Sequence, residues 1–361
     1  MHIVHSESSC GWGGQEIRVL DEAAGMLGRG HRVSLLCPPE APIYAEAARR
    51  GIPAAALPIA RKGLRGIGAM RAWLVRNRSD VLNSHSSTDS WLAALSLLGV
   101  NPRPALVRTR HISAPIPDNM ATRWLYQSAT RQIVTTGERL REQLIRDHGF
   151  RPESIVSVPT GIDLARFAPA DRAQAKTRLG LDPSLACIGI VATLRSWKGH
   201  RYLVEAFAGL KRKDARLFVI GDGPGWGNLK QQVAQSGLDA RVLMPGNQDD
   251  VAQWLQAMDV FALPSYANEG VPQALMQAMA AGVPVISTPV GSIDELVQHE
   301  ETGLMVPPQD ANALRDAIER LLEDRELGQR LAQAARERVR LGYSREHMLD
   351  SMEAVFREAS A

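Results

Sequence analysis

Apolar residues recur along the chain in two alternating forms. Short runs such as HIVH (2–5), RVSLLC (32–37) and DVFALPS (259–265) are separated by longer stretches in which apolar positions return every three or four residues. The short runs have the length and β-branched content of strands buried on both faces, and the longer stretches that of helices packed on them. Strand and helix in steady alternation mark a parallel sheet with crossover helices. Two series are visible. HIVH, RVSLLC, AAALPI, DVLNSH, ALVRTR, QIVTT and SIVSVP form the first; ACIGIVAT, ARLFVIG, ARVLMPG, DVFALPS, VPVIST and a short piece at Leu304 form the second. Between them PTGIDLARFAPADRAQ, rich in Pro, Gly and polar residues, reads as an interdomain connection. Helical periodicity closes the chain over 311–323, 326–340 and 345–359.

The expected fold class is therefore α/β, with a Rossmann-like domain over residues 1–165 and another over 170–343. With 361 residues the chain exceeds one ordinary core, and 45% hydrophobic with 22% charged residues is the balance of a water-soluble globule. Cys10, Cys37 and Cys187 lie far apart with no CxxC pair, which argues against a disulfide framework or zinc site and suits a reducing compartment. MHIVHSESS lacks the basic start and apolar run of a signal peptide, and no segment reaches the ~20 apolar residues of a membrane crossing. A cytoplasmic location is expected. Charge divides unevenly: residues 1–160 hold 20 Lys/Arg against 13 Asp/Glu, a net +7, and the remainder 22 against 26, a net −4. Residues 47–79 carry eight basic side chains and no acid, with Leu64, Ile67, Met70 and Leu74 on one helical face beside Trp73. Such a segment is either core-packed with a solvated basic face or drawn to an anionic membrane surface. No aromatic-interleaved basic patch points to nucleic acid.

Open α/β sheets bind ligands beyond the carboxyl ends of their strands, so two such domains face each other across an expected interdomain cleft. Candidate chemistry falls at those strand ends. Gly11, Gly13 and Gly14 precede a helix, but Glu16 breaks the dinucleotide spacing. His85 and His111 each follow a strand directly. Arg195 and Lys198, ahead of Gly199, stand between a strand and a helix as a clamp for a diphosphate. Gly221, Gly223 and Gly225 again miss the dinucleotide pattern at Trp226, and no P-loop is present. Gly246 with Asn247 ends a third strand of the second series. In NEGVPQALMQAMAAGVPVIS, Glu269 and Gly270 precede Val271 and Pro272 and a helix carrying Gln277. A helix start offers N–H groups to an anion while a carboxylate accepts from sugar hydroxyls, so Pro272 is expected at the first helical position and Glu269 against a polyol.

The GG turn, the histidine before ISAP, VATLRSWKG, IGDGP, PSYANEGVPQALMQAMAAGVPVIST and GLMVPPQDANAL, in that order, resemble the landmarks of glycosyltransferase family 4, retaining enzymes of GT-B architecture, along essentially the whole chain. The resemblance implies a first domain for the acceptor, with Gly13 and His85 near it, a second domain for a UDP- or GDP-sugar, and a final helix (344–361) packed back on the first. By the same resemblance, Arg195 and Lys198 hold the diphosphate, Glu269 the sugar hydroxyls, and Val271 and Pro272 lie beside the phosphates. His111 then sits near the bond being broken, Gly14 approaches from the opposite domain, and Gly221, Gly223, Gly246, Asn247 and Gly270 belong to the donor side. The family's second Glu is Gln277 here, a departure that bears on the nucleotide ribose. No carboxylate pair of the kind used by retaining glycoside hydrolases is evident, and no DxD occurs, so catalysis without metal or cofactor is expected. A saccharide or lipid-linked acceptor of cell-envelope polysaccharide or lipopolysaccharide is implied. Two alternatives keep the fold: an epimerase or phosphorylase acting on the same donor class, or a sugar-nucleotide-binding protein without activity.

Overall fold

The computed structural model describes residues 1–112, 114–267 and 269–361. Ser113 of the ISAP stretch and Asn268 at the head of NEGVPQAL lie outside them. The chain divides into two compact units, Met1–Gly161 with Glu346–Ala361, and Ile162–Arg345. The first division point falls inside the Pro- and Gly-rich stretch, whose Ile162 and Phe167 are already buried in the second unit's core.

Among the described residues the first unit carries a seven-stranded sheet: β1 (His2–Ser6), β2 (Arg32–Cys37), β3 (Ala54–Ala56), β4 (Val81–Ser84), β5 (Ala105–Arg110), β6 (Gln132–Thr135) and β7 (Ile155–Ser157). The order is β3-β2-β1-β4-β5-β6-β7, with parallel pairing throughout. Successive residues enter opposite cores, which is why the strands read as unbroken apolar runs. Ile3, Val81 and Val107 face one cluster; Val4, Leu82 and Leu106 face the other. The helix Gly14–Gly28 buries Val19, Leu20, Ala23 and Met26, one stripe at helical spacing. The helix Arg345–Ser360 inserts Leu349, Met352 and Phe356 into the same cluster as Ile3, and Gly25 supplies the close approach: a Cβ there would lie 2.4 Å from a Leu349 methyl. In the helix Leu64–Asn77, Met70 and Leu74 are buried and Ile67 and Trp73 pack partly. Leu64 departs from the expected stripe and is 87% exposed, because it is the first helical residue, a turn ahead of the packed section.

The second unit holds β8 (Cys187–Val191), β9 (Arg216–Ile220), β10 (Val242–Gly246), β11 (Val260–Leu263), β12 (Val285–Ser287) and β13 (Leu304–Met305), all parallel, in the order β10-β9-β8-β11-β12-β13. Both sheets are doubly wound. The connection reverses direction beside β1 and β4 in one and beside β8 and β11 in the other, and those reversals open the crevices where ligands bind in such sheets. The helices Ala311–Glu323 and Arg325–Gly342 complete this unit, their buried stripes closing on the same core. No helix among the described residues is long and apolar enough to cross a membrane.

Candidate active site

In the second unit the side chains following β8 and β11 converge because those strands are neighbours. Lys198 Nζ lies 2.6 Å from Glu269 Oε1, and Ser265 Oγ donates to the same oxygen at 2.6 Å. Glu269 is 4% exposed, whereas the Lys198 side chain keeps 20% of its surface open. The two loops are locked together by backbone. Tyr266 N–H donates to Trp197 O at 2.8 Å, and Gly199, at φ 77°, approaches Pro264 so closely that a Cβ would stand 2.0 Å from its carbonyl oxygen. Gly291 (φ 63°) makes the corresponding approach to the Glu269 carbonyl, again 2.0 Å. Glycine at 199 and 291 is thus demanded twice, by conformation and by contact.

Arg195 is exposed, with its guanidinium 5.7 Å from the centroid of the Trp197 ring, in the same strand-to-helix segment as Lys198. The helix Gln273–Ala280 follows Glu269, and Pro272 is its extended N-cap residue (φ −70°, ψ 125°), not its first helical residue as the sequence suggested. Gly270, Val271 and Pro272 are buried at that start, and Gln277 is half-buried within the helix. Gly221 and Gly223 turn out to be required by the protein's own backbone. A Cβ at Gly221 would meet Ala192 O at 2.2 Å and one at Gly223 would meet Leu194 N at 2.8 Å. Their positive φ and close approach hold the 221–225 turn against the segment leading into Arg195, with Gly225 N–H on Leu194 O at 2.8 Å. Gly246 also takes positive φ, 77°, and next to it Asn247 is exposed.

In the first unit the ends of β1, β4 and β5 align three imidazoles. His5 Nδ1 is 3.0 Å from His85 Nε2, and His85 Nδ1 is 3.0 Å from His111 Nε2. Glu22 Oε1 lies 4.0 Å from His5 Nδ1, while His5 Nε2 has no partner among the described residues. The donor and acceptor roles along the row follow the tautomers: an N–H on His5 Nδ1 is directed at His85 Nε2, and that arrangement leaves an N–H on His111 Nδ1, whereas an N–H on His5 Nε2 reverses the chain. Burial pushes His5 down to about 3 and holds His85 and His111 well below the ordinary imidazole range, so the row is neutral near pH 7. His85, expected to touch the acceptor, is buried with both nitrogens engaged; it offers an incoming hydroxyl no hydrogen bond and instead orients His111.

Gly13 caps and Gly14 opens the helix Gly14–Gly28, and the turn hangs on Glu7. The Gln15 amide donates to Glu7 Oε2 at 2.5 Å, and Ser9 N–H donates to Oε1 at 2.7 Å. Burial, then the nearby Asp89, raises the Glu7 carboxyl to about 8. Asp89 in turn accepts from Ser6 Oγ, His85 N–H and Ser86 N–H. His5, Glu7, Asp89, Ser265 and the buried Arg108 and Arg110 were not singled out from sequence. For all but Asp89, which lies in the first turn of the helix Ser87–Ser96, the signal was present, since each is a polar group in or just after a strand.

Two doubly wound parallel sheets, each with its polar groups at the chain reversal, constitute the GT-B architecture. Residues 12–166 match the family described as Glycosyltransferase Family 4 and residues 171–338 that described as Glycosyl transferases group 1. The chain thus belongs with the GT-B glycosyltransferases, one family domain in each unit. It is 29% identical over 311 residues to the D-inositol 3-phosphate glycosyltransferase of Saccharomonospora viridis, covering 78% of this chain and 70% of that protein. It is 37% identical over 175 residues to the lipopolysaccharide core biosynthesis mannosyltransferase LpsB of Rhizobium meliloti, covering 46% of this chain and 50% of the relative. Among solved structures, HepE of Anabaena in complex with UDP and glucose superposes with a TM-score of 0.88 at 21% identity over 99% of this chain and 100% of that one.

Proposed function

We propose that the protein transfers a sugar, with retention at the anomeric carbon, from a UDP- or GDP-sugar to a saccharide or lipid-linked acceptor of the cell envelope. The observation that carries this is the Lys198–Glu269–Ser265 cluster at the chain reversal of the second sheet, directly ahead of a helix start. A cation and the amides of a helix start suit a diphosphate, and a carboxylate beside them suits sugar hydroxyls. The nucleotide in HepE and the sugar-transfer names of both relatives support the same class of chemistry. The donor belongs to the second unit and the acceptor to the first.

In the reaction the bond between the anomeric carbon and the β-phosphate oxygen breaks, and a bond from the acceptor hydroxyl oxygen forms on the same face. The hydroxyl proton passes to the departing phosphate. Lys198 and Arg195 stabilise the charge that develops on the diphosphate, the role for which preorganised cations are most effective. His111, whose ring is held in place by His85 and His5, is the first unit's group for the transferred sugar. No metal step is required, so turnover is expected to survive EDTA.

The basic segment 47–79, with Leu64 87% and Val75 55% exposed, supports docking on an anionic membrane surface. Flotation with anionic and neutral vesicles tests that part separately. The transferase proposal is tested by acceptor-dependent release of UDP or GDP from the nucleotide sugar. Release without acceptor, or conversion of the donor alone to an epimer, would overturn it.

A further inference from the structure

Strand β5 places Arg108 and Arg110 two residues apart, on the face that carries Leu106. They are 5% and 9% exposed. Arg108 stacks its guanidinium 4.4 Å over the Tyr126 ring, while its Nε and Nη1 have no hydrogen-bond partner among the described residues. Arg110 Nη1 donates to Tyr126 Oη at 3.1 Å and Nη2 to Ala114 O, but its Nε has no partner among the described residues. Among the described residues neither arginine forms an ion pair. The carboxylate that acts on Arg108 through space, Asp89, is occupied by Ser6, His85 and Ser86. Two guanidinium groups are thus buried side by side with three idle nitrogens.

Both arginines line a cavity of about 260 Å³ within the first unit, shared with Gln15, Trp91, His111 and Ile116. Buried like charges without a counter-ion oppose folding, and unmet buried donors add to that. The arrangement becomes favourable once an anion enters. A planar fork matches the oxygens of a phosphate, two forks neutralise its double charge, and the aromatic and aliphatic wall excludes water that would weaken the contact. We propose that this cavity seats a phosphate group carried by the acceptor, so that the acceptor is a phosphate ester whose reacting hydroxyl lies toward His111. That the phosphate belongs to an acceptor rests on the transferase function above; the anion site itself does not.

The test is thermal unfolding and calorimetry of the full chain with inorganic phosphate, at ionic strength held constant with sodium chloride and with UDP present to occupy a donor site. UDP binding is read separately, so its absence counts against the donor assignment alone. Wild-type protein is expected to bind phosphate, and Arg108→Met to unfold at the same or a higher temperature while binding at least about tenfold more weakly, the worth of one charged hydrogen bond. A lower unfolding temperature with unchanged phosphate affinity would make Arg108 a structural stack on Tyr126 and overturn the site. Should Arg108→Met not fold, Arg108→Lys decides: it keeps the charge and loses the fork, and an affinity equal to wild type would overturn the proposal. Competition by glycerol 3-phosphate identifies a soluble ester as the acceptor type, and competition only by phosphatidic acid in neutral detergent identifies a lipid phosphate. Failure of inorganic phosphate and both esters to bind overturns it.

Discussion

Replacement of Lys198 by Met isolates what its charge does, because Met retains much of the aliphatic stem. In the folded chain Lys198 Nζ sits 2.6 Å from a Glu269 carboxylate that is 4% exposed. Removing one member of a fully buried pair costs about 3–5 kcal/mol, whereas exposed pairs contribute ~0–1 kcal/mol. With 20% of the Lys198 side chain open to water, an intermediate loss of about 1–2 kcal/mol follows. That corresponds to a fall in unfolding temperature of roughly 2–8 °C for a unit of this size. Catalysis should suffer more. One preorganised contact to developing charge is worth about 3 kcal/mol, or about 100-fold in kcat. The double variant Lys198→Met/Glu269→Gln separates the two effects: it regains most of the stability, since no buried carboxylate is left facing Met, but none of the turnover. Steady-state release of nucleoside diphosphate and differential scanning fluorimetry read both quantities. Turnover within twofold of wild type in Lys198→Met, or its recovery in the double variant, would refute the role given to this lysine.

Three further outcomes are expected. Gly199→Ala forces a Cβ to 2.0 Å from Pro264 O at φ 77°, so the loops carrying Lys198 and Glu269 must separate; a urea titration should show a loss of at least about 1–3 kcal/mol, and an unchanged midpoint would contradict the contact. Phe356→Ala empties a fully buried site in the first unit's core and should cost about 3–5 kcal/mol in the same titration, whereas a loss under about 1 kcal/mol would place the last helix outside that core. Glu22 is raised to about 7 by burial, ahead of the opposing attraction of Arg18. A carboxyl raised in the folded state contributes stability present below its unfolded value of 4.5 and lost as pH climbs to about 7. The unfolding temperature of Glu22→Gln relative to wild type should therefore rise between those two pH values, and a flat difference would show that Glu22 titrates normally.

The strands were legible because parallel sheets covered on both faces need unbroken apolar runs, and HIVH, ACIGIV and VPVIS are such runs. Even the two-residue strand at Leu304 was visible between its turns. The helix ends over 311–323 followed from spacing alone. What spacing could not give was convergence. Lys198 and Glu269 are 71 residues apart, and only the adjacency of β8 and β11 brings them together; a family resemblance supplied that pairing in advance. Gly221 and Gly223, assigned to the donor side, also have a reason within the fold that spacing could not show: their missing Cβ atoms make room for Ala192 and Leu194. His85 was taken for a contact group because it ends a strand, and its engagement on both sides depends on His5, a residue that looked like ordinary strand filling. Arg108 and Arg110 were hidden in the same way. In ALVRTR the alternation puts two charges on one face of a central strand, and only burial on that face shows how unusual this is.

The most direct measurement is a crystal structure of the protein with an intact UDP-sugar, and with the GDP-sugar if UDP does not bind. The donor site described above predicts the β-phosphate within hydrogen-bonding distance of Lys198 Nζ and of the amides at Gly270 and Val271, with sugar hydroxyls on Glu269. A nucleotide sugar bound elsewhere, with the Lys198–Glu269 pair undisturbed and touching neither phosphate nor sugar, would contradict it.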